Sequence, residues 1–397
     1  MPAAPHIVVI VVDRLGSGWL GPYGNAWIPA PTLNRLAAQS LLCEFMVSDS
    51  CELTQVYRSY FSGVPAWRTV DLSHPPLPQL ARDAGYQTIL ITDADEVARH
   101  PLAGAFEQAD LLTWQRPAAT AAKVSQTRLG DVFATAAAAI SHSPKPKLLW
   151  IHAAGPNAAW DAPRELRERM AAEDDPTPQE FVAPPSLLLE KNYDPDFLLG
   201  MVQAYAAELV ACDDNLGTLL AALDAICDPA NTLLVFTSPR GYALGEHLRV
   251  GAAGDSLRGE LLQVPLLIRF PGAAGRLTRL GGLRQPIDLH ALITAAMRAE
   301  MAHFIDSGHP FVPSAAPGEL SLRTAHWFYR RIGIGDDLNQ ELYAKPDDRW
   351  EVNEVSKRAA EVVEAFQELA QWLEAHRGLP ESPVLPRLPE IVAEALR

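Results

Sequence analysis

The chain reads as an α/β protein: a mostly parallel central sheet sandwiched by helices, with a small C-terminal α+β subdomain. Three observations predict this. Short β-branched, apolar runs alternate with amphipathic stretches, the pattern of a parallel sheet covered on both faces. Two of those runs, 6–12 and 232–237, are almost wholly apolar, as strands buried on both faces must be. From about Glu300 the alternation gives way to a strand and then one long amphipathic stretch. A length of 397 residues with 48% hydrophobic content suits one large domain and a smaller attachment, placed here at 1–300 and 301–397.

The elements follow in order. The run from His6 ends at Asp13-Arg14, and Pro31 opens a helix to Gln39 through a proline. A helix from Leu77 is closed by Gly85, and Tyr86 to Thr92 is a strand. The Ala-rich segment Arg128 to Ser141 is a helix and Lys147 to Ala153 a strand. Asp161 to Asp194, charged and carrying Asp174-Asp175-Pro176-Thr177-Pro178, reads as an irregular excursion with one short helix, of the kind that covers a site mouth. Asp196 to Ile226 is a long helix leading into the run that ends at Thr237-Ser238-Pro239-Arg240-Gly241. Next come a strand from Leu261 to Phe270 broken by Pro265, and a helix from Ile287 to Met297. In the last part, Thr324 to Ile332 is a strand and Glu351 to His376 a helix. The proline-rich end, Leu379 to Pro389, would lie extended over a neighbouring subunit or float, which leaves an oligomer open.

A formal charge of −15 argues against nucleic-acid and acidic-membrane partners, which demand a basic face. The strand beginning at His6 leaves no room for a basic, apolar leader, so a cytoplasmic protein is expected. Cys43, Cys51, Cys212 and Cys227 lack metal-type spacing and are read as buried free thiols.

The two uninterrupted strands end where α/β enzymes place their sites. Around those ends stand Asp13-Arg14-Leu15-Gly16-Ser17, Pro22-Tyr23-Gly24-Asn25, Trp160-Asp161-Ala162-Pro163, Asp213-Asp214-Asn215, Gly245-Glu246-His247 and Glu341-Leu342-Tyr343. In this order the segments resemble the sulfatase branch of the alkaline phosphatase superfamily over most of the chain. The resemblance implies that superfamily's sandwich fold and hydrolysis of sulfate or phosphate esters by a nucleophile at a helix start. It also implies a calcium ion held by four residues of the two strand ends. Of those four, this chain keeps Asp13 and carries Arg14, Pro239 and Arg240 in place of the rest. Calcium needs six to eight oxygens, several of them anionic. At an effective dielectric of about 20, a cation roughly 4 Å away repels another by about 4 kcal/mol per unit charge product. No cofactor is therefore expected, and calcium only if the chain is an active hydrolase.

For the nucleophile the resemblance points to Ser50-Cys51-Glu52-Leu53-Thr54-Gln55-Val56-Tyr57-Arg58, with Gly63 beyond. Matching Arg58 and Gly63 to the family's arginine and glycine puts Thr54 at the nucleophile, with a one-residue slip. Placing Cys51 there leaves Leu53 for the family's proline and Gln55 for its arginine. In neither register is the formylglycine-maturation signature intact. Thr54 reads equally as a helix N-cap hydroxyl. Arg58 and His247 complete the catalytic candidates, and His247 also reads as a loop-holding residue. Asn157 stands at the family's central histidine, His152 where an acid is common, and no lysine occurs in Gly251-Ala252-Ala253-Gly254.

Arg14 and Arg240, with Asn157 and His152, are thus candidate anion-binding residues for a sulfate, phosphate or carboxylate. An arginine fork on Asp13 would instead replace the metal crosslink and fill the cavity. The function expected is a sulfatase-like protein that has lost metal-dependent hydrolysis and acts through binding or assembly. The alternative is an active sulfuric or phosphoric ester hydrolase with Thr54 or Cys51 as nucleophile.

Overall fold

The run His6–Val12 forms strand β1, and each of its faces is covered. Val8, Ile10 and Val12 pack among the helices Pro31–Ala38, Arg128–Ala139 and Pro195–Ile226, while Ile7, Val9 and Val11 meet Leu53–Ser62 and Pro286–Met297. Two-sided burial is why the run is apolar at every position instead of every second one. A computed structural model describes residues 4–70, 74–115, 117–140, 145–301, 303–306, 308–333, 335–380 and 383–394. In chain order the further strands are β2 Leu41–Val47, β3 Gln87–Thr92, β4 Gln108–Leu111, β5 Lys147–Ala153, β6 Leu187–Leu188, β7 Thr232–Thr237, β8 Arg249–Val250, β9 Gln263–Arg269 and β10 Thr278–Arg284. The last four are β11 Phe311–Ala316, β12 Glu319–Thr324, β13 Trp327–Ile332 and β14 Asn339–Ala344.

Among the described residues the main sheet has eight strands in the order β10-β2-β9-β7-β1-β5-β3-β4. Only β9 runs against its neighbours, β2 and β7. Because β1 pairs in parallel with both β5 and β7, Asp13 and the Ser238–Gly241 segment emerge side by side at the sheet's carboxyl edge. Pro265 does not break β9. Cys43 faces Leu266 and Met46 faces Val264, so Glu44 and Phe45 together oppose Pro265 in a β-bulge. A bulge tolerates a residue without an N–H.

Helix boundaries largely follow the sequence reading. Gly85 ends the helix Leu77–Asp83 in left-handed backbone, φ 88°, as its position implied. The predicted helix from Glu351 begins only at Ala360, and Glu351 lies in left-handed backbone with its side chain buried. The predicted strand from Thr324 is a turn followed by β13, because the Thr324 hydroxyl accepts from the His326 and Trp327 N–H groups. Strands β11 to β14 form an antiparallel sheet against Ala360–His376, with Tyr329 stacked on Phe366 at 5.1 Å. The proline-rich end packs on this same unit through Leu385 and Leu388, and beyond it Val392 is buried there and Trp327 Nε1 donates to Glu394 O. The Asp161–Asp194 excursion holds the helix Arg164–Met170 and is pinned by Arg167, which donates to the carbonyls of Trp160, Gln179 and Phe181. The four cysteines are buried and free. Among the described residues no helix is long and apolar enough to cross a membrane.

One long-range contact sets the wall beside the sheet edge. The helix Pro31–Ala38 has no side-chain cap of its own. Its Thr32 and Leu33 N–H groups donate to the two oxygens of Asp213, in the helix Pro195–Ile226, at 2.8 and 2.7 Å. Asp213→Ala leaves both amides without that acceptor and is expected to cost about 1–3 kcal/mol in urea unfolding, with Asp213→Asn costing less.

Candidate functional site

Asp13 follows β1 and is fully buried. Arg240 follows β7, and its guanidinium forks onto Asp13, Nε to Oδ1 at 3.0 Å and Nη2 to Oδ2 at 2.9 Å. The remaining Nη1 donates to the carbonyl of Cys51, just before the helix Leu53–Ser62. One guanidinium thus ties the ends of two strands to the start of a helix. Burial alone would raise the Asp13 pKa, but the Arg240 guanidinium, aided by Arg14, holds it below its ordinary value.

Arg14 takes left-handed backbone, φ 63°. For a non-glycine residue this costs about 1–2 kcal/mol, and four contacts hold it. Its N–H donates to Asp13 Oδ1, its carbonyl accepts from the Tyr205 hydroxyl, and its guanidinium forks onto Asp255 at 3.1 and 2.6 Å. The two arginines therefore meet two acids, Asp13 and Asp255. Each guanidinium is matched by one carboxylate. Two glycines allow the close packing. A Cβ on Gly155 would sit 2.7 Å from Val12 Cγ1, and one on Gly241 2.1 Å from the Glu260 carbonyl.

The other candidates scatter. Cys51 is buried, and burial with nearby Asp255 and Glu319 pushes its thiol up to about 12. Thr54 is exposed in the first turn of its helix and caps nothing, since the N-cap is Glu52 without a side-chain bond. Arg58 points away from Asp13 and donates to the carbonyls of Pro65, Arg68 and Val70, at 3.5, 3.0 and 3.1 Å. Asn157 is exposed, in the turn after β5. His247 lies 3.7 Å from Glu260 and 3.3 Å from Arg258. Burial, with Arg258 and Arg330, lowers its pKa to about 4, so the ring is neutral near pH 7 and its approach to Glu260 is no ion pair.

His152 does join the buried centre. Its Nδ1 lies 2.6 Å from the Tyr57 hydroxyl, which also accepts from Trp150 Nε1, while Nε2 is buried without a protein partner. Burial lowers its pKa to about 4 although Asp13 and Asp93 pull it upward. Tyr57 and Asp255 are the residues that sequence reasoning missed. Counting back from Gly63 without the one-residue slip places Leu53 and Tyr57 at the nucleophile and arginine positions. In that count Tyr57 is the residue whose hydroxyl meets His152 and Trp150 in the buried centre, and Leu53 is buried among apolar neighbours. Asp255 directly follows the glycine-bounded loop that lacks the family's lysine.

A parallel-sheet sandwich with strand ends and a helix start converging on one aspartate is the scaffold of α/β ester hydrolases. Residues 5–299 match the sulfatase family, and the chain belongs to it. Curated relatives include an ulvan-active sulfatase of Formosa agariphila, 33% identical over 24% of this chain and 19% of that protein. The mouse iduronate 2-sulfatase is 24% identical over 70% of this chain and 61% of that protein. The chain thus matches less than two thirds of the length of these relatives. Among solved structures, the phosphonate monoester hydrolase of Agrobacterium radiobacter superposes with a TM-score of 0.75 at 15% identity, covering 94% of this chain and 96% of that one. A 2-O GAG sulfatase gives 0.72 at 15% identity, covering 94% and 92%. At such identities the likeness establishes the fold.

Two expectations follow. Asp13→Asn and Arg240→Met should each destabilise the protein by about 3–5 kcal/mol, because each strands a buried partner. The double variant should cost less than the sum, and a double-mutant cycle in denaturant measures the difference. Asp49, which holds the Arg58 loop by accepting from Ser59 Oγ and Ala66 N, has its pKa raised by burial from 3.8 to about 6. A carboxyl with a raised folded pKa stabilises below its unfolded value and loses that contribution as pH rises through about 6. Relative to the wild type, Asp49→Asn should gain stability between pH 4 and 6, by at most about 3 kcal/mol, and level off above; thermal unfolding across pH reads this.

Proposed function

We propose that this sulfatase-family protein has lost metal-dependent ester hydrolysis and acts by binding or assembly. One observation carries the reading: both oxygens of Asp13, the retained family ligand, accept from Arg240. A hard divalent ion at that place would need this carboxylate and several more oxygens. It would instead find a guanidinium fork in position, Arg14 alongside and Pro239 without a side-chain donor. The residues present do not fit calcium, and no reaction step is assigned through it.

The nucleophile positions support the same reading. Leu53 has no reactive atom. The Cys51 thiol stays protonated near neutral pH, and only the thiolate is a good nucleophile. A threonine hydroxyl needs a base or metal to activate it, and Thr54 is exposed, with His100 bonded to its backbone.

The test combines elemental mass spectrometry, after incubation with calcium, magnesium, manganese and zinc, with turnover of 4-nitrophenyl sulfate, phosphate and phosphonate. The expected result is no stoichiometric ion and no turnover above the uncatalysed rate. A stoichiometric ion with turnover abolished by Thr54→Ala or Cys51→Ala would replace this reading with an active sulfuric or phosphoric ester hydrolase.

A further inference from the structure

With Arg14 and Arg240 each occupied by a carboxylate, an anion-binding role has to be sought elsewhere in the molecule. We infer that a groove of about 510 Å³, between the start of the helix Leu53–Ser62, the segment 66–70 and the C-terminal sheet, binds a small organic anion carried on an apolar body. The inference deepens the binding reading above and rests on it for its biological sense.

The volume falls in the range of small-molecule sites, roughly 300–1,000 Å³, and interfaces between structural units are where such sites concentrate. The floor is apolar, built from Trp67, Ala316, Pro317, Leu320 and Leu373. The hairpin Ala315–Leu320 forms one wall, and a Cβ on Gly318 at its turn would meet nothing within 4 Å. Asp13, Arg14, Arg240 and His152 take no part in the lining, so the groove is separate from the buried centre.

The charges select the ligand. In a chain of net charge −15, four arginines line this one groove. Arg331 is paired with Glu374, and these cancel. Glu319 is directed to Ser256 Oγ, the Leu257 N–H and Arg330, at 2.7, 2.7 and 3.5 Å, so it neutralises little here. Arg58 is fixed by three carbonyl acceptors, which are neutral and leave its charge in place. Arg377 is exposed at the rim, held in position because its own carbonyl accepts from the Thr69 N–H at 2.8 Å. Arg58, Arg68 and Arg377 thus share the groove with one further lining carboxylate, Glu52, while Asp49 acts on Arg58 from outside the lining. The N-terminus of a ten-residue helix, with Glu52 and Gln55 in the wall, adds a further positive end. Guanidinium groups next to an apolar floor recognise a sulfate, phosphate or carboxylate joined to a planar or aliphatic group.

The experiment is calorimetric titration of the full chain with 4-nitrophenyl sulfate, 4-nitrobenzoate, neutral 4-nitrophenol and inorganic sulfate, at low and at physiological salt. The two aryl anions should bind, the phenol and the bare ion each about tenfold more weakly, with affinity falling as salt rises. Arg377→Glu, at an exposed position that does not endanger folding, should weaken the aryl anions by about tenfold or more. Asp255→Asn, which disturbs only the buried centre, should leave their affinity unchanged. The inference is overturned if neither aryl anion binds, or if Arg377→Glu leaves the affinity unaltered. Sensitivity to Asp255→Asn in place of Arg377→Glu would also overturn it, by moving the site to the buried centre. If the sulfate ester is hydrolysed while 4-nitrobenzoate binding still depends on Arg377, the groove stands and the loss of hydrolysis falls.

Discussion

A single buried ion pair organises the carboxyl edge of this sheet. Arg240 reaches across from the end of β7 to Asp13 at the end of β1 and keeps one donor for the Cys51 carbonyl. Removing two charges from water is costly, and a pair offsets that cost only with good geometry and with its remaining donors satisfied. Two parallel bonds join the partners, and the Cys51 carbonyl takes one of the three N–H groups that the fork leaves over. The strands can therefore converge on a charged residue in the middle of an apolar sandwich.

The rest of the edge follows from keeping that pair dry and balanced. Arg14, forced into left-handed backbone as the chain leaves β1, brings a second positive charge, and Asp255 comes in from the loop after β8 to match it. Tyr205 fixes the Arg14 carbonyl from the long helix, and Gly155 and Gly241 let neighbouring backbone close in. Tyr57 and His152 complete the wall as a neutral pair. The Arg240–Asp13 fork crosslinks the ends of β7 and β1, and the Arg14–Asp255 fork ties the end of β1 to the loop after β8. A fork is saturated by its partner and offers no open coordination position, whereas a metal can hold a substrate oxygen.

Much of this was legible in the residues. The apolar run of β1, the helix closed by Gly85 and the Ala-rich helix after Arg128 are local patterns whose physical cause lies within a few residues. Where sequence reading failed, a specific contact outside the hydrophobic pattern was responsible. Pro265 stays in β9 because β2 bulges opposite it. The predicted strand at Thr324 is interrupted because one hydroxyl caps a turn, and the segment after Glu351 is not helical because its side chain is drawn to Lys345 and the Gly259 N–H.

The sequence by itself determined the fold class and the family, and placed arginines at two strand ends, because each is written in residue identity and order along the chain. Tertiary structure alone decided where the charges ended. Asp255 stands 241 positions from Arg14, and no local rule pairs them. Arg58, matched to a catalytic arginine by spacing, turned to three carbonyls because the helix rotates it away from Asp13 and presents Tyr57 instead. Helical phase and long-range ion pairing depend on three-dimensional contact, so spacing along the chain could name the candidates but could not say which of them meet.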